Sequence, residues 1–195
     1  MAISYPLSLP DTFGFRAAKL RQVVAATADM SPFTFGQQVV SWPGERWEAD
    51  VSLPSDYRGR MAPWKAFLLS LRGPVGTFLM GDPDYQTPQG TVSDCLVTGA
   101  AGEASVSVVM TGSLLAGDYI QLGAGASARL HCVLQDQDGS GTLDIWPALR
   151  RDYNGAPATF ENAMGVFRLT RPVTEWEIDT AGIYGLSFQA VEAIG

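Results

Sequence analysis

His131 is the only histidine in this chain, so any Ser-His or Cys-His nucleophile pair has to use it. Cys132 is its neighbour in sequence, but on an extended segment successive side chains point to opposite faces, so the two meet only across a bulge. No G-x-S-x-G elbow, H-E-x-x-H pair, P-loop or G-x-G-x-x-G turn accompanies them. Cys95 and Cys132 are too few for a disulfide framework and too isolated for a zinc site, and both read as buried thiols. Between Asp136 and Asp144 the sequence imitates a calcium loop. Asp136, Asp138 and Ser140 take its first, third and fifth positions, with Gly141 at the sixth and Asp144 at the ninth. Pro147 then stands where a bidentate carboxylate must close the site, and the flanks alternate like strands, so a hairpin turn accounts better for the same Asp and Gly. Carboxylates also cluster at Asp82 and Asp84 and at Glu175, Glu177 and Asp179. Hydrolysis through Glu175 and Glu177 needs a separation of about 5 to 9.5 Å, which is a property of the fold and not of spacing. Solvated turns and strand faces explain these acids, and the sequence predicts no enzyme, no metal and no cofactor.

The aromatic and basic residues are the other chemically informative group. Trp47 and Trp64 lie on predicted core faces. Trp42 and Trp176 are free of such an assignment and are candidate interface anchors, because aromatics concentrate binding energy. Arg58 and Arg60 join them, as part of a local cluster with Lys65 and Arg72 that reads as a wet helix face or as an inter-subunit contact. Tyr119 and Trp146 are candidate stacking platforms for a sugar.

The elements that must position these residues belong to an ordinary globular chain of 195 residues, 46% hydrophobic and 17% charged. One core is expected, or two small ones. A net charge of −7 gives little purchase on a phosphate backbone. No apolar run approaches the roughly 20 residues of a membrane span. The N-terminal MAISYPLSLPD lacks a secretory pattern, which predicts synthesis in the cytoplasm.

From Ser31 to Leu53 the sequence reads as two strands around a Trp42-Pro43-Gly44-Glu45 turn. In the second, Trp47, Ala49, Val51 and Leu53 alternate with Glu48, Asp50 and Ser52. Trp64, Phe67, Leu68 and Leu71 then fall on one helical stripe, predicting a short helix over Pro63 to Arg72, ended by Gly73-Pro74. A strand follows at Gly76 to Pro83. Residues 91 to 162 hold five strand-like pieces, at Val92 to Val97, Ala104 to Thr111, Asp118 to Leu122, Ala128 to Leu134 and Gly141 to Trp146. Their spacing suggests a small OB-like barrel. This stretch carries three basic and eight acidic residues, a net of −5 against −2 for the remainder. Tyr184, Leu186, Phe188 and Ala190 alternate again near the end, and such a closing strand pairs most simply with the N-terminal sheet. That makes 91–162 an inserted β-barrel within a domain of residues 1–90 and 163–195.

The runs W-P-G-E-R-W-E-A-D-V-S-L-P (Trp42 to Pro54), W-K-A-F-L-L-S-L-R-G-P-V-G-T-F-L-M-G-D-P (Trp64 to Pro83), L-L-A-G-D-Y-I-Q-L and L-D-I-W-P-A-L-R resemble small structural proteins of long-tailed bacteriophage tails. Among these the layout is most similar to the distal tail protein family. The resemblance implies a mainly-β protein, with a tail-tube-like β-sandwich carrying one short helix and an inserted OB-like β-barrel. It implies a structural virion protein at the tail tip, forming a homo-hexameric ring that joins the tail tube protein to the hub and baseplate proteins, with DNA passing through unbound. A carbohydrate-binding accessory module and a head-tail connector ring are the alternatives. The N-terminal residues Met1 to Met30 carry no signal that assigns them to a contact.

Overall fold

The computed structural model describes residues 3–12 and 14–194. Along the chain run β1 (Ala17–Met30), β2 (Gln37–Ser52), β3 (Asp56–Tyr57), helix α1 (Arg58–Leu71), β4 (Thr77–Met80), β5 (Asp94–Gly99), β6 (Ser105–Thr111) and β7 (Ser113–Leu114). They are followed by β8 (Tyr119–Leu122), β9 (Arg129–Val133), β10 (Gln137–Asp138), β11 (Gly141–Trp146), β12 (Tyr153–Thr159), β13 (Gly165–Leu169), β14 (Trp176–Ile178) and β15 (Ile183–Glu192). The protein is mainly β. One sheet has the order β1-β2-β15-β13-β4, with β3 and β14 paired to the first residues of β15. The strands β11-β6-β5-β12-β8-β9 close into a barrel.

Period-two alternation builds the sheet's core face. Trp47, Ala49, Val51 and Leu53 are all buried, as are Leu186, Phe188 and Ala190 across the ladder that sets Phe188 beside Val51 and Ala190 beside Ala49. Against this face lies α1, which buries Met61, Trp64, Phe67, Leu68 and Leu71. Rings interlock between the layers, Phe67 meeting Phe78 edge-on at 5.5 Å and Phe78 meeting Phe188 at 6.0 Å, geometries that suit the aromatic quadrupole. The helix begins five residues before the expected Pro63, which sits inside it. The buried stripe outweighs the backbone hydrogen bond that proline cannot make.

Two expectations need correction. Trp42-Pro43-Gly44-Glu45 is not a turn, for β2 runs straight through it. The hairpin reverses at Ser31 to Gly36, where Phe35 donates its N–H to the Ser31 carbonyl and Ser31 donates to Gly36, and the partner strand is β1. Proline is tolerated because this part of β2 pairs on one side only, and the register there slips between Val24 and Ala26, opposite Glu45 and Ser41. Second, the barrel has six strands, where the sequence shows five strand-like pieces. The sixth, β12, contains Asn154-Gly155 and Pro157, which read as loop residues in sequence. Gly155 takes φ 62° at a register shift that bends the strand between β5 and β8.

Sheet and barrel are joined through a seam. The Trp47 ring meets Trp146 edge-on at 4.4 Å, and its indole N–H donates to the Leu130 carbonyl at 3.0 Å. Beside it the Glu192 carboxylate, its side chain 2% exposed, accepts a bond from Arg150 Nη2 at 2.9 Å and one from the Trp47 N–H at 3.3 Å. Arg150 also donates to the Glu45 carbonyl at 2.6 Å, and the Glu45 side chain accepts from the Ala148 N–H at 2.9 Å. The two connections between sheet and barrel run backbone to backbone, since a Cβ on Gly81 would strike the Ala163 carbonyl oxygen. Truncating one partner of a buried charge pair leaves the other unpaired, so Glu192→Ala is expected to cost about 3 kcal/mol of stability in denaturant unfolding. Glu48→Ala, on the exposed face of the same sheet, is expected to cost under about 1 kcal/mol.

Candidate functional site

The hairpin β1–β2 is too long for the sheet that carries it. Pairing with β15 covers Glu48 to Ser52 only, so β2 from Gln37 to Glu45, with the matching half of β1, projects as a two-stranded arm. Strand propensity explains why it stays extended, with Val23, Val24, Thr27, Val39 and Val40 along its length. Its surface is unusual for a chain of this charge. Asp29 is the single charged residue from Gln22 to Gly44, while Met30, Val24, Val40, Val39 (65%), Trp42 (54%) and Phe33 (92%) are exposed. Val39 and Val40 are consecutive and so lie on opposite faces, so each face of the arm exposes apolar side chains among uncharged polar ones such as Gln37, Gln38 and Ser41.

The arm also leaves backbone groups unpaired. The opposite edge of the sheet is covered: Leu7 donates its N–H to the Thr77 carbonyl and accepts from the Leu79 N–H, both at 2.9 Å. The outer edge of β1 carries no strand among the described residues, and in the arm the far edge of β2 is bare as well. Lys19 and Arg21 guard only the base, where Arg21 pairs with Asp50 at 2.9 Å and Glu48 at 3.4 Å. At the tip the Ser31 hydroxyl accepts from the N–H groups of Phe33 and Thr34, and Phe35 holds φ 55°, a left-handed conformation that disfavours a phenylalanine. This surface can do two things: bury apolar area and extend a sheet.

The predicted site residues part company. Trp42 lies on the arm. Arg58 and Trp176 come together in a groove of about 190 Å³ between the outer face of α1 and the β14–β15 hairpin, where Lys65 Nζ stands 4.5 Å from the Trp176 ring centroid and 5.7 Å from that of Tyr184. Arg60 is exposed and pairs with Asp56 one helical turn earlier, at 2.9 Å. Tyr119 and Trp146, the candidate sugar-stacking pair, pack into the molecule. Trp146 is 8% exposed against Trp47, and Tyr119 is half-buried between Trp47 at 6.1 Å and Tyr85 at 5.1 Å. Their rings are spent on the seam.

Burial disfavours the ionised forms of the one histidine and the two thiols. His131 is buried to 1% exposure, and that burial pushes its pKa down to about 4 against the bond its Nδ1 makes to the Pro147 carbonyl at 2.7 Å. A neutral ring must donate from Nδ1, and Nε2 is left without a partner among the described residues. Burial pushes the Cys95 thiol up to about 11 and raises that of Cys132, the reverse of a thiolate-imidazolium pair. In the turn that imitates a calcium loop, Asp136 accepts from the Ala116 N–H and Ser140 from the Met110 N–H. Among the described residues no cluster of three His, Cys, Asp or Glu is placed to hold a metal, and no helix is long and apolar enough to cross a membrane. Glu175 lines an open groove of about 450 Å³ beside β1 and β2, while Glu177 is exposed on β14, outside that groove.

No family model matches the chain, and no curated protein matches it. The arm was missed by period-two reasoning because both of its faces carry apolar side chains. The signal present in the sequence was the stretch of 22 to 44 with one charge.

His131 makes stability depend on pH in a defined window. Unfolded, it takes a proton near its ordinary 6.5, while in the fold it stays neutral down to about 4. Its contribution is therefore intact above pH 6.5 and is lost progressively as pH falls toward 4. His131→Gln is expected to be less sensitive than the parent by about 2 kcal/mol between pH 7.5 and pH 4.5, read as the difference between their denaturation curves.

Proposed function

We propose that this protein is a non-enzymatic structural component of a bacteriophage tail tip, which assembles with copies of itself into a ring between tail tube and hub. The observation that carries this reading is the arm: with apolar side chains on both faces, bare on both strand edges and nearly free of charge. A chain at −7 repels its own copies, and an uncharged projection is the part that approaches a second copy at least cost. The two bare edges belong to different strands. Pairing the β1 edge of one copy with the β2 edge of the next is a head-to-tail contact, and such contacts close into rings or run on as filaments.

The resemblance to distal tail proteins supplies the rest. On that reading the sheet and helix are the tail-tube-like sandwich, the barrel is the OB-like insertion, the ring is a hexamer in the virion tail tip, and acidic surfaces let DNA pass without adhering. A head-tail connector ring would use the same arm at the other end of the tail. The carbohydrate-binding alternative loses its support with the burial of Trp146 and Tyr119.

Negative-stain microscopy with mass measurement in solution tests the reading. The full chain is expected to give a sixfold ring. Val39→Lys combined with Val40→Lys is expected to weaken assembly at least about tenfold with the thermal midpoint unchanged, because these side chains touch nothing in the monomer's core. A ring that survives both lysines, or a wild-type chain that stays monomeric at every concentration, overturns it.

A further inference from the structure

Phe33, at the tip of the arm, is the most exposed large apolar side chain of the described residues, and the groove beside Trp176 is an apolar hollow rimmed by cations. The groove is formed by the solvent-facing Ala62, Ala66 and Leu69 of α1, with buried Met61 at its floor, on one side and Trp176 and Tyr184 on the other. Its volume of about 190 Å³ is sufficient for one aromatic ring, since an apolar cavity of about 150 Å³ accepts benzene. Leu69 is exposed there, as are Ala62 and Ala66.

Charge agrees with size. Arg58 and Lys65 line the groove and form no ion pair among the described residues, on a chain with seven more acids than bases. Asp29, the single charge of the arm, is exposed, four residues before Phe33, and likewise has no ion pair among the described residues. The arm thus offers one ring and one carboxylate, and the groove offers one ring-sized hollow and two cations.

We infer that the groove between α1 and the β14–β15 hairpin is the socket for the arm tip of a second copy of this chain, with Phe33 seated against Trp176 and Asp29 facing Arg58 and Lys65. The inference rests on the self-association proposed above and goes beyond it by naming the receiving surface. The contact is heterologous, since tip and socket are different surfaces of the same chain, and each copy gives one arm and receives one. It also accounts for the strained Phe35: a fixed tip presents Phe33 in one orientation, at a local backbone cost that a mobile loop would avoid.

The test uses full-length chains, with oligomeric mass followed against concentration. Ala66→Trp, which fills the hollow from an exposed position, and Phe33→Ser are each expected to raise the concentration at which half the chain is assembled by about tenfold or more. Asp29→Lys and Lys65→Glu, each alone, are expected to weaken assembly, and the two combined in one chain to restore it. A chain with Phe33→Cys mixed with a chain carrying Ala66→Cys is expected to give a covalent pair with a short bis-maleimide. Neither chain alone is expected to do so, since Cys95 is buried and Cys132 half-buried. A wild-type chain that assembles while Ala66→Trp, the charge exchange and the crosslink all have no effect overturns the socket and leaves self-association standing. A wild-type chain that is monomeric at every concentration and yields no mixed crosslink overturns both.

Discussion

The carboxylate of Glu192 stands where the alternating core row of β15 ends. Leu186, Phe188 and Ala190 are buried before it, and the next residue of that register faces inward because the pleat gives it no choice. A buried unpaired carboxylate would be intolerable, and it is the barrel that supplies the partner, through Arg150. Arg150 in turn holds the Glu45 carbonyl at the point where β2 leaves the sheet. One ion pair therefore ties together three bodies: the sheet, the barrel and the base of the arm. Trp47 repeats the connection in apolar form, its ring against Trp146 and its N–H on Leu130.

That junction fixes where the arm starts, and so what the arm is. From Glu48 to Ser52 the strand is paired on both sides and alternates strictly. Above that span, β2 has one neighbour, both faces meet solvent, and Val39, Val40 and Trp42 are exposed where charged residues are missing. Exposed strand edges without charge are a liability in a monomer. Their persistence in a strongly acidic chain is the reason for proposing the arm as an adhesive element.

Most of the elements could be read from periodicity. The helical stripe of Trp64, Phe67, Leu68 and Leu71 and the alternation from Trp47 to Leu53 each bury the residues their spacing indicates, because a regular element facing one core must repeat at its own period. The failures share a cause. Pro43-Gly44 in β2 and Gly155 with Pro157 in β12 carry turn residues inside strands, and each sits beside a register shift, where a bulge absorbs what local chemistry forbids in a regular ladder. The covering of Trp146 and Tyr119 has another origin: an aromatic side chain on the outside of a small barrel is exposed only until something packs there, and here the sheet does.

Composition and spacing alone determined a mainly-β chain with one amphipathic helix and a net negative charge. These follow from local residue type and period, which act within a few residues of themselves. The tertiary structure decided that Glu192 is paired, that Trp146 is covered, that Arg58 and Trp176 line one groove, and that the hairpin outruns its sheet. Each of those depends on which distant segments become neighbours. Arg150 and Glu192 are 42 residues apart, and Trp47 and Leu130 are 83. No window on the sequence spans such pairs, and burial, the quantity that separates an anchor from a binding surface, exists only once they have met.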